Sequence, residues 1–382
     1  MKSVVYSSPF VPAEWIAAHG VRPMRLRPDP AAALPSTGPL MGVCPYARAF
    51  TSEAGTSAGA VIFTTTCDQM RRAAEWLSLE GTTPVFLMNV PATWQTPAAA
   101  RLYRDELQRL GRFLVALGGA EPSRDRLAAT METYDARRRL LRGDLAAMTA
   151  RGASEAIARF DLGEEPGNGG PPPGTAAPLM TLRGGSPDPP RRNAASSQSL
   201  TPAGAAGRET RRAKTETLRS PTSHVEEPAA HKTAASGAAV AVIGGPLARG
   251  DGRLFDALEK AGGRVALDGT ESGPRTFPAP FDRRRLRDDP LMELVDAYFG
   301  TIPDAFRRPD TLLYQWLSRE LAASAARGII VWRYVWCDMW AAAAARLREA
   351  TALPVLDLDV TGDASEFGRA ANRIQAFMEV LK

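Results

Sequence analysis

The chain has 382 residues, 44% of them hydrophobic, and its net charge of +5 comes from 47 basic against 42 acidic residues. This length is typical of two domains with buried cores, and so small a basic excess in an arginine- and alanine-rich sequence does not favour nucleic-acid binding. No apolar run is long enough to span a membrane and the N-terminus lacks a signal-peptide pattern, so we expect a cytoplasmic protein with no membrane or nucleic-acid partner.

The first 162 residues alternate between strand-like and helix-like segments. Apolar runs in SVVYS, VRPMRL, GAVIFTTTC and TPVFLMNVP predict strands, and PAEWIAAHG and DQMRRAAEWLSLEG predict helices. A longer helix is predicted after Thr96, a suitable N-cap that Pro97 follows, and Gly118 and Gly119 end it. Apolar residues at helical spacing predict that one stripe of this helix faces the core: Tyr103, Leu107, Leu110, Leu114 and Leu117.

Residues 163–236 have a different composition. They are rich in proline, glycine, alanine, serine and arginine and contain no aromatic residue. Such a segment cannot bury enough apolar surface to offset its ordering entropy, which predicts a disordered linker. His224 and His231 lie in it, so only His19 remains elsewhere and histidine-based acid–base catalysis is poorly supported.

Residues 237–382 return to the first pattern. Strands are predicted at AAVAVIGG, RVALD, GIIVWRYV and LPVLDLDV, with helical segments between them and a closing helix at SEFGRAANRIQAFMEVL. Regular alternation of strands and helices is typical of parallel sheets. We therefore predict an α/β protein with two Rossmann-like or flavodoxin-like domains, residues 1–162 and 237–382.

Cys44, Cys67 and Cys337 are the only cysteines. Their odd number argues against a disulfide framework, and the absence of a CxxC pair argues against a zinc knuckle or a ferredoxin-type run. Cys67 and Cys337 each follow a predicted strand, where α/β folds bind ligands, and Cys44 lies in a loop. Spacing alone leaves two interpretations open: three small buried side chains, or one shared metal site with a free coordination position.

The segments around these cysteines resemble a known family. PAEWIAAHGVRPMRL, CPYARAF, AVIFTTTCDQMRR and PVFLMNVP are similar to the first domain of the 2-hydroxyacyl-CoA dehydratase/benzoyl-CoA reductase family. AVAVIGGPL, GGRVALDGTESGPRTF, GIIVWRYVWCDMW, PVLDLDVTGDASEF and RIQAFME are similar to its second domain. The cysteine motifs TCDQM and YVWCDMW are the specific part, and the subunit type resembled is the D-component of 2-hydroxyglutaryl-CoA dehydratase.

The resemblance implies that Cys44, Cys67 and Cys337 bind one [4Fe–4S] cluster between the two domains, with one iron open to water or substrate. It implies an oxygen-sensitive hydro-lyase, in which an ATP-dependent iron–sulfur activator supplies one electron. The acyl-CoA thioester is then reduced to a ketyl radical, which expels the hydroxyl group. The chain would work as a dimer with itself or with a paralogous subunit.

Three alternatives stay open at this point. The first is a subunit of an aromatic acyl-CoA reductase of the benzoyl-CoA type, in which the electron enters a ring. The second is a non-catalytic partner subunit that keeps the fold. With purely structural cysteines, it would be a plain α/β binding module.

Other polar and aromatic residues have less specific interpretations. Glu14, in PAEWIAAHG, is a candidate catalytic group or a first-turn acid that stabilises its helix. Asp68 and Asp338 are expected to be helix N-caps. We expect Arg275 at the surface, because arginine is so common in this chain, and we expect the tryptophans around Cys337, at 332, 336 and 340, to pack and exclude solvent.

Overall fold

The computed structural model describes residues 2–33, 35–57, 59–164 and 237–382. Within these ranges it contains two four-stranded sheets, each of them entirely parallel. The predicted α/β class with two parallel-sheet halves is therefore confirmed. The predicted disordered linker lies, apart from Gly163 and Glu164, outside the described residues.

The N-terminal sheet has the strand order β2-β1-β3-β4. Its strands span β1 Ser3–Tyr6, β2 Arg22–Arg25, β3 Ala60–Thr64 and β4 Val85–Met88. The helices of this half are α1 Ala13–Ala18, α2 Pro45–Ser57, α3 Asp68–Glu80, α4 Pro97–Ala116, α5 Arg124–Leu145 and α6 Ala150–Asp161. Every residue of β3 is buried, as expected for a central strand that is covered on both faces.

The C-terminal sheet has the equivalent order β6-β5-β7-β8. Its strands span β5 Ala238–Gly244, β6 Gly263–Gly269, β7 Gly328–Tyr334 and β8 Val355–Val360. Its helices are α7 Arg253–Lys260, α8 Arg283–Asp288, α9 Pro290–Val295, α10 Thr311–Ser324, α11 Asp338–Ala350 and α12 Phe367–Val380, with a π-helical turn at Asp296–Gly300. The two halves thus repeat one topology.

Helix α4 follows its predicted capping. The Thr96 hydroxyl accepts a hydrogen bond from the Ala99 N–H at 3.2 Å, and Pro97 occupies the first helical position. Gly118, just past the end, has φ 95°, a conformation that glycine adopts without strain. The predicted stripe is buried along its whole length, from Tyr103 to Leu117.

Gly244 ends β5 where two strands approach closely. Its φ is 145°, and a Cβ at this position would overlap the carbonyl oxygen of Trp332 on β7. Glycine is therefore required here, and it lets the chain turn at the carboxyl edge of the sheet.

Within the described ranges, no helix is long and apolar enough to cross a membrane.

Candidate functional site

One cleft of about 710 Å³, open to solvent, is lined by the loops that follow β1, β3, β5, β6 and β7. Each sheet reverses its strand order next to its first strand, at β1/β3 and at β5/β7. Parallel α/β sheets bind ligands beyond the carboxyl ends of their strands at such switch points. Here the switch points of both sheets contribute to the same cleft, and Cys44, Cys67 and Cys337 all line it.

Cys67 and Cys337 occupy equivalent positions in the two halves. Each lies three residues beyond the last residue of its strand, Thr64 of β3 or Tyr334 of β7. Each is also the N-cap of a 13-residue helix, α3 or α11. The positive end of a helix dipole therefore points toward each sulfur, which favours negative charge there.

Cys44 reaches the cleft from a loop in the N-terminal half and lies just before α2. Its sulfur accepts a hydrogen bond from the Ala47 N–H at 3.4 Å. The Cys44 N–H donates to the Gln69 Oε1 atom at 2.9 Å, which fixes this loop to the first turn of α3. A third helix N-terminus thus faces the same space.

The pKa values of all three thiols are raised above that of a free cysteine, mainly by burial, which disfavours the thiolate form. Burial raises the pKa of Cys44, and the nearby Cys67 and Cys337 sulfurs raise it further. Burial raises the pKa of Cys337 to about 12 and also raises that of Cys67, against hydrogen bonds from backbone N–H groups that lower both. The neighbouring sulfurs disfavour ionisation of Cys44 and Cys337, so a bound centre that bears positive charge would favour their thiolate forms.

Within the described residues, no group of three or more His, Cys, Asp or Glu side chains is placed to hold a metal ion. Sulfurs that bind one zinc ion each lie about 2.3 Å from it and nearly touch one another. The ligands of a four-iron cluster bind different irons and stand farther apart. What the described residues show is that three soft thiol donors line one cleft.

Two arginines of the N-terminal half hold the cleft wall of the C-terminal half. Arg25 donates to the backbone carbonyl of Glu271 at 2.8 Å and to the Thr276 hydroxyl at 3.2 Å. Arg27 donates to the carbonyl of Ser272 at 2.7 Å. These bonds fix the loop after β6 against the end of β2, so the cleft has a defined shape.

Asp251 lies behind the cleft and gives a testable pH dependence. It accepts hydrogen bonds from the Ala248 N–H at 2.9 Å and from the hydroxyl of Tyr334, whose ring lines the cleft. Burial raises the pKa of Asp251 to about 6, although both hydrogen bonds lower it. The protonated form is therefore favoured in the folded chain relative to the unfolded one.

This raised pKa predicts that the Asp251 contribution to stability is present at pH 4 and is lost as the pH rises through about 6. The full loss amounts to about 3 kcal/mol, of which about 2 kcal/mol falls between pH 4.5 and pH 8. We expect Asp251→Asn, which is neutral throughout, to lose less stability than the wild type between pH 4.5 and pH 8. Urea unfolding of both proteins at the two pH values measures this difference, and equal losses would contradict the assignment.

Glu271 and Asp304 line the same cleft, and the sequence patterns identified neither of them. Glu271 is a single acid in a glycine-, serine- and proline-containing loop, and Asp304 lies in a separate irregular segment. No periodicity marks such positions. A strand end followed by a polar loop was the only available signal.

Arg275 is buried, so the expectation of a surface position is wrong. Its guanidinium donates to the carbonyl oxygens of Gly269 at 2.7 Å and Gly244 at 3.2 Å, and pairs with Asp304 at 3.2 Å. It therefore joins the carboxyl ends of β5 and β6 to the segment that carries Asp304. Arginine suits this position because its planar group donates several hydrogen bonds at once.

The expected N-caps are displaced by one residue. Asp68 and Asp338 are the first residues of α3 and α11, while the cysteine before each is the N-cap. The extended backbone of Cys67, with φ −140° and ψ 127°, explains the shift in α3. Asp68 instead pairs with Arg71 at 3.0 Å and still lies at the positive end of the helix dipole.

The tryptophans around Cys337 divide into two kinds. Trp332 and Trp340 are buried, as expected for packing residues, but Trp336 is 49% exposed. Trp336 also has φ 65°, which is strained for a residue with a Cβ. A strained, half-exposed tryptophan thus stands directly before Cys337.

Glu14, the predicted candidate for catalysis, is fully buried and is not among the residues that line the cleft. One carboxylate oxygen pairs with Arg138 of α5, and the other accepts a hydrogen bond from the Tyr298 hydroxyl at 2.6 Å. The structure therefore brings the three cysteines together and places Glu14 in a separate buried network. Its catalytic role stays a prediction.

The chain matches a known protein family over most of its length. Residues 9–161 and 178–381 match the family described as 2-hydroxyglutaryl-CoA dehydratase, D-component. No curated protein matches the chain. The family match confirms the resemblance based on the cysteine motifs, and it covers nearly the whole sequence. The chain therefore belongs to the 2-hydroxyglutaryl-CoA dehydratase D-component family.

Proposed function

We propose that this chain is the iron–sulfur component of a 2-hydroxyacyl-CoA dehydratase-like enzyme, which eliminates water from a 2-hydroxyacyl-CoA thioester. Membership in the D-component family supports a dehydratase-like activity within a complex of several subunits. The observation that carries the proposal is that Cys44, Cys67 and Cys337 line one cleft, each at the N-terminus of a helix.

A [4Fe–4S] cluster bound by these three cysteines fits the chemistry of the cleft. Thiolates are the soft anionic ligands that iron–sulfur clusters use. Three helix N-termini and backbone N–H groups directed at the sulfurs favour the negative charge of such a centre. When bound, the cluster supplies a low-potential electron and, at the iron without a protein thiolate, a Lewis-acidic position.

The other residues of the cleft bind and shield the acyl group. Phe10, Met70, Met339 and Trp340 provide apolar walls, which exclude water from a reactive intermediate. Thr66 and its neighbours at the end of β3 provide hydroxyl groups within the same space. A pocket that is mostly apolar with a few polar groups is typical of small-molecule sites.

The proposed partners are an ATP-dependent iron–sulfur activator and a second subunit, either a paralogous chain or another copy of this one. We place the assembled enzyme in the cytoplasm, where free thiols persist.

Reconstitution tests this function. The chain is loaded with iron and sulfide without oxygen and is combined with an activator of the family and ATP. With 2-hydroxyglutaryl-CoA as the probe, we expect ATP-dependent formation of the 2-enoyl-CoA, and no product when ATP is omitted. Reduction of benzoyl-CoA instead would identify the reductase alternative. Turnover with a paralogous subunit that does not need the cluster of this chain would identify the non-catalytic partner, and turnover of neither ester under any of these conditions would contradict the proposal.

A further inference from the structure

Glu271 differs from the other acidic side chain of the cleft because its carboxylate has no protein partner. Within the described ranges, no hydrogen bond or ion pair is formed by its side-chain oxygens. Asp304, in contrast, pairs with Arg275 at 3.2 Å and accepts a hydrogen bond from the Phe306 N–H at 3.1 Å. The cleft therefore contains one acid that is held by the protein and one that is available to a ligand.

The backbone of Glu271 is nevertheless firmly held. Its N–H lies within 3.1 Å of the carbonyl oxygens of Gly244 and Gly245, at the end of β5. Its own carbonyl accepts from Arg25 at 2.8 Å and from the Thr276 hydroxyl at 3.2 Å. A free side chain on a fixed backbone is the arrangement expected of a group that is pre-organised for a ligand.

Glu271 lies on a loop of the cleft that carries no cysteine. The loops after β3 and β7 and the loop before α2 each contribute a cysteine, whereas the loop after β6 contributes Glu271. The carboxylate is close enough to Cys67 and Cys337 to raise the pKa of both thiols. It therefore lies near these thiols, on a loop of the cleft that has no cysteine.

The surroundings suit hydrogen bonding in either direction. Burial raises the pKa of Glu271 to about 7, and Asp304 contributes to the rise, while Arg25 and Arg275 lower it. Near neutral pH the group is thus present both as an acid that can donate and as a carboxylate that can accept. Asp304 is held in place by Arg275, which leaves the Glu271 side chain as the acid of the cleft without a protein partner.

We propose that Glu271 binds the 2-hydroxyl group of the substrate and exchanges a proton with it. This inference rests on the proposed function and names the residue that distinguishes a 2-hydroxyacyl thioester from its deoxy analogue. When the C2–O bond breaks, its electron pair stays with the oxygen, and the Glu271 proton joins that oxygen to form water. The proton later lost from C3 returns to the carboxylate, so water leaves and no net proton or electron is consumed.

Binding of two esters tests the proposal without turnover. Dissociation constants for 2-hydroxyglutaryl-CoA and glutaryl-CoA are measured with the full, cluster-loaded chain in the absence of activator. We expect the wild type to prefer the hydroxylated ester by about tenfold to a hundredfold, the range of a hydrogen bond to a charged group. In Glu271→Ala this preference should fall to about onefold, because the group that binds the hydroxyl is gone.

Two further variants separate binding from folding. Glu271→Gln has nearly the same size and is expected to keep a preference for the hydroxylated ester while losing dehydration, since an amide cannot donate the proton. Glu132→Gln, at an exposed ion pair with Arg283, is the control and should match the wild type in both measurements. Comparison of these two variants decides the question if Glu271→Ala does not fold.

Each outcome leads to a distinct conclusion. An unchanged preference in Glu271→Ala, or equal binding of both esters to the wild type, would overturn the role of Glu271 and leave the proposed function standing. Binding of neither ester to the loaded wild type would contradict the proposed function itself. Loss of the preference in Glu271→Ala alone would support the assignment.

Discussion

Cys67→Ser is expected to reduce the iron content of anaerobically purified protein from about four atoms per chain to less than about one. Cys67 is one of only three thiols in the chain, and a serine hydroxyl is too weak an acid and too hard a donor to replace it. The polypeptide should still fold, because Cys67 is an N-cap at the edge of the cleft and not part of a sheet. Any activity that depends on the cluster should be lost.

The matched control lies on the same helix. Ser78→Ala changes a hydroxyl that bonds to the Ala74 carbonyl within α3, far from the cleft residues, and should leave the iron content unchanged. Far-ultraviolet circular dichroism checks that both variants keep their secondary structure. Iron in Cys67→Ser equal to that of the wild type would show that this thiol is not a ligand.

Arg138→Met is expected to lower the free energy of unfolding by about 3 to 5 kcal/mol, the cost of breaking a buried ion pair by removing one partner. Arg138 and Glu14 are both buried, so the substitution leaves a carboxylate with only the Tyr298 hydroxyl as a partner. Guanidinium unfolding gives the midpoint and the slope. We expect the substitution to lower the denaturant concentration at the midpoint and to leave the slope unchanged.

The neighbouring Arg139 is the natural control for this prediction. It pairs with Asp135 at 3.3 Å, but its side chain is 66% exposed, so Arg139→Met should cost at most about 1 kcal/mol. Adding Glu14→Gln to Arg138→Met removes the stranded charge and should recover part of the lost stability. Equal losses in Arg138→Met and Arg139→Met would show that burial does not make the Glu14 pair important.

The double variant also bears on the predicted catalytic role of Glu14. Both of its carboxylate oxygens are occupied, one by Arg138 and one by Tyr298, and neither partner lines the cleft. If Glu14 acts only through this network, a folded Glu14→Gln/Arg138→Met protein should bind iron as the wild type does. The position of Glu14 in the first turn of α1 was evident from the sequence. The burial of Glu14 was not, because it depends on α5 and on the π-helical turn at Asp296–Gly300.

The sheets were predictable because their strands are continuous apolar runs. AVIFT and GIIVWRY are buried almost throughout, which is the pattern of central parallel strands. The capping of α4 was equally local, since Thr96 and Pro97 are adjacent to the helix they start. Local patterns do not contain the strand order, so the equivalence of Cys67 and Cys337 became clear only from the repeated topology.

The cleft was only partly predictable for the same reason. Cys67 and Cys337 follow recognisable strands, whereas the position of Cys44 depends on a loop that Gln69 fixes from another element. Glu271 acquires its properties from Asp304 and Arg25, which lie in two other segments, and from Arg275, which lies four residues further along its own loop. An isolated acid in a loop has no sequence signature, and its availability to a ligand follows from what the tertiary structure leaves unpaired.

Iron and acid-labile sulfide content, together with an electron paramagnetic resonance spectrum after reduction, shows whether Cys44, Cys67 and Cys337 bind a cluster. The protein must be purified without oxygen. We expect about four iron and four sulfide per chain and a reducible cluster. A colourless, iron-free protein that cannot be reconstituted would contradict the assignment of Cys44, Cys67 and Cys337 as ligands, and the proposed chemistry would be withdrawn with it.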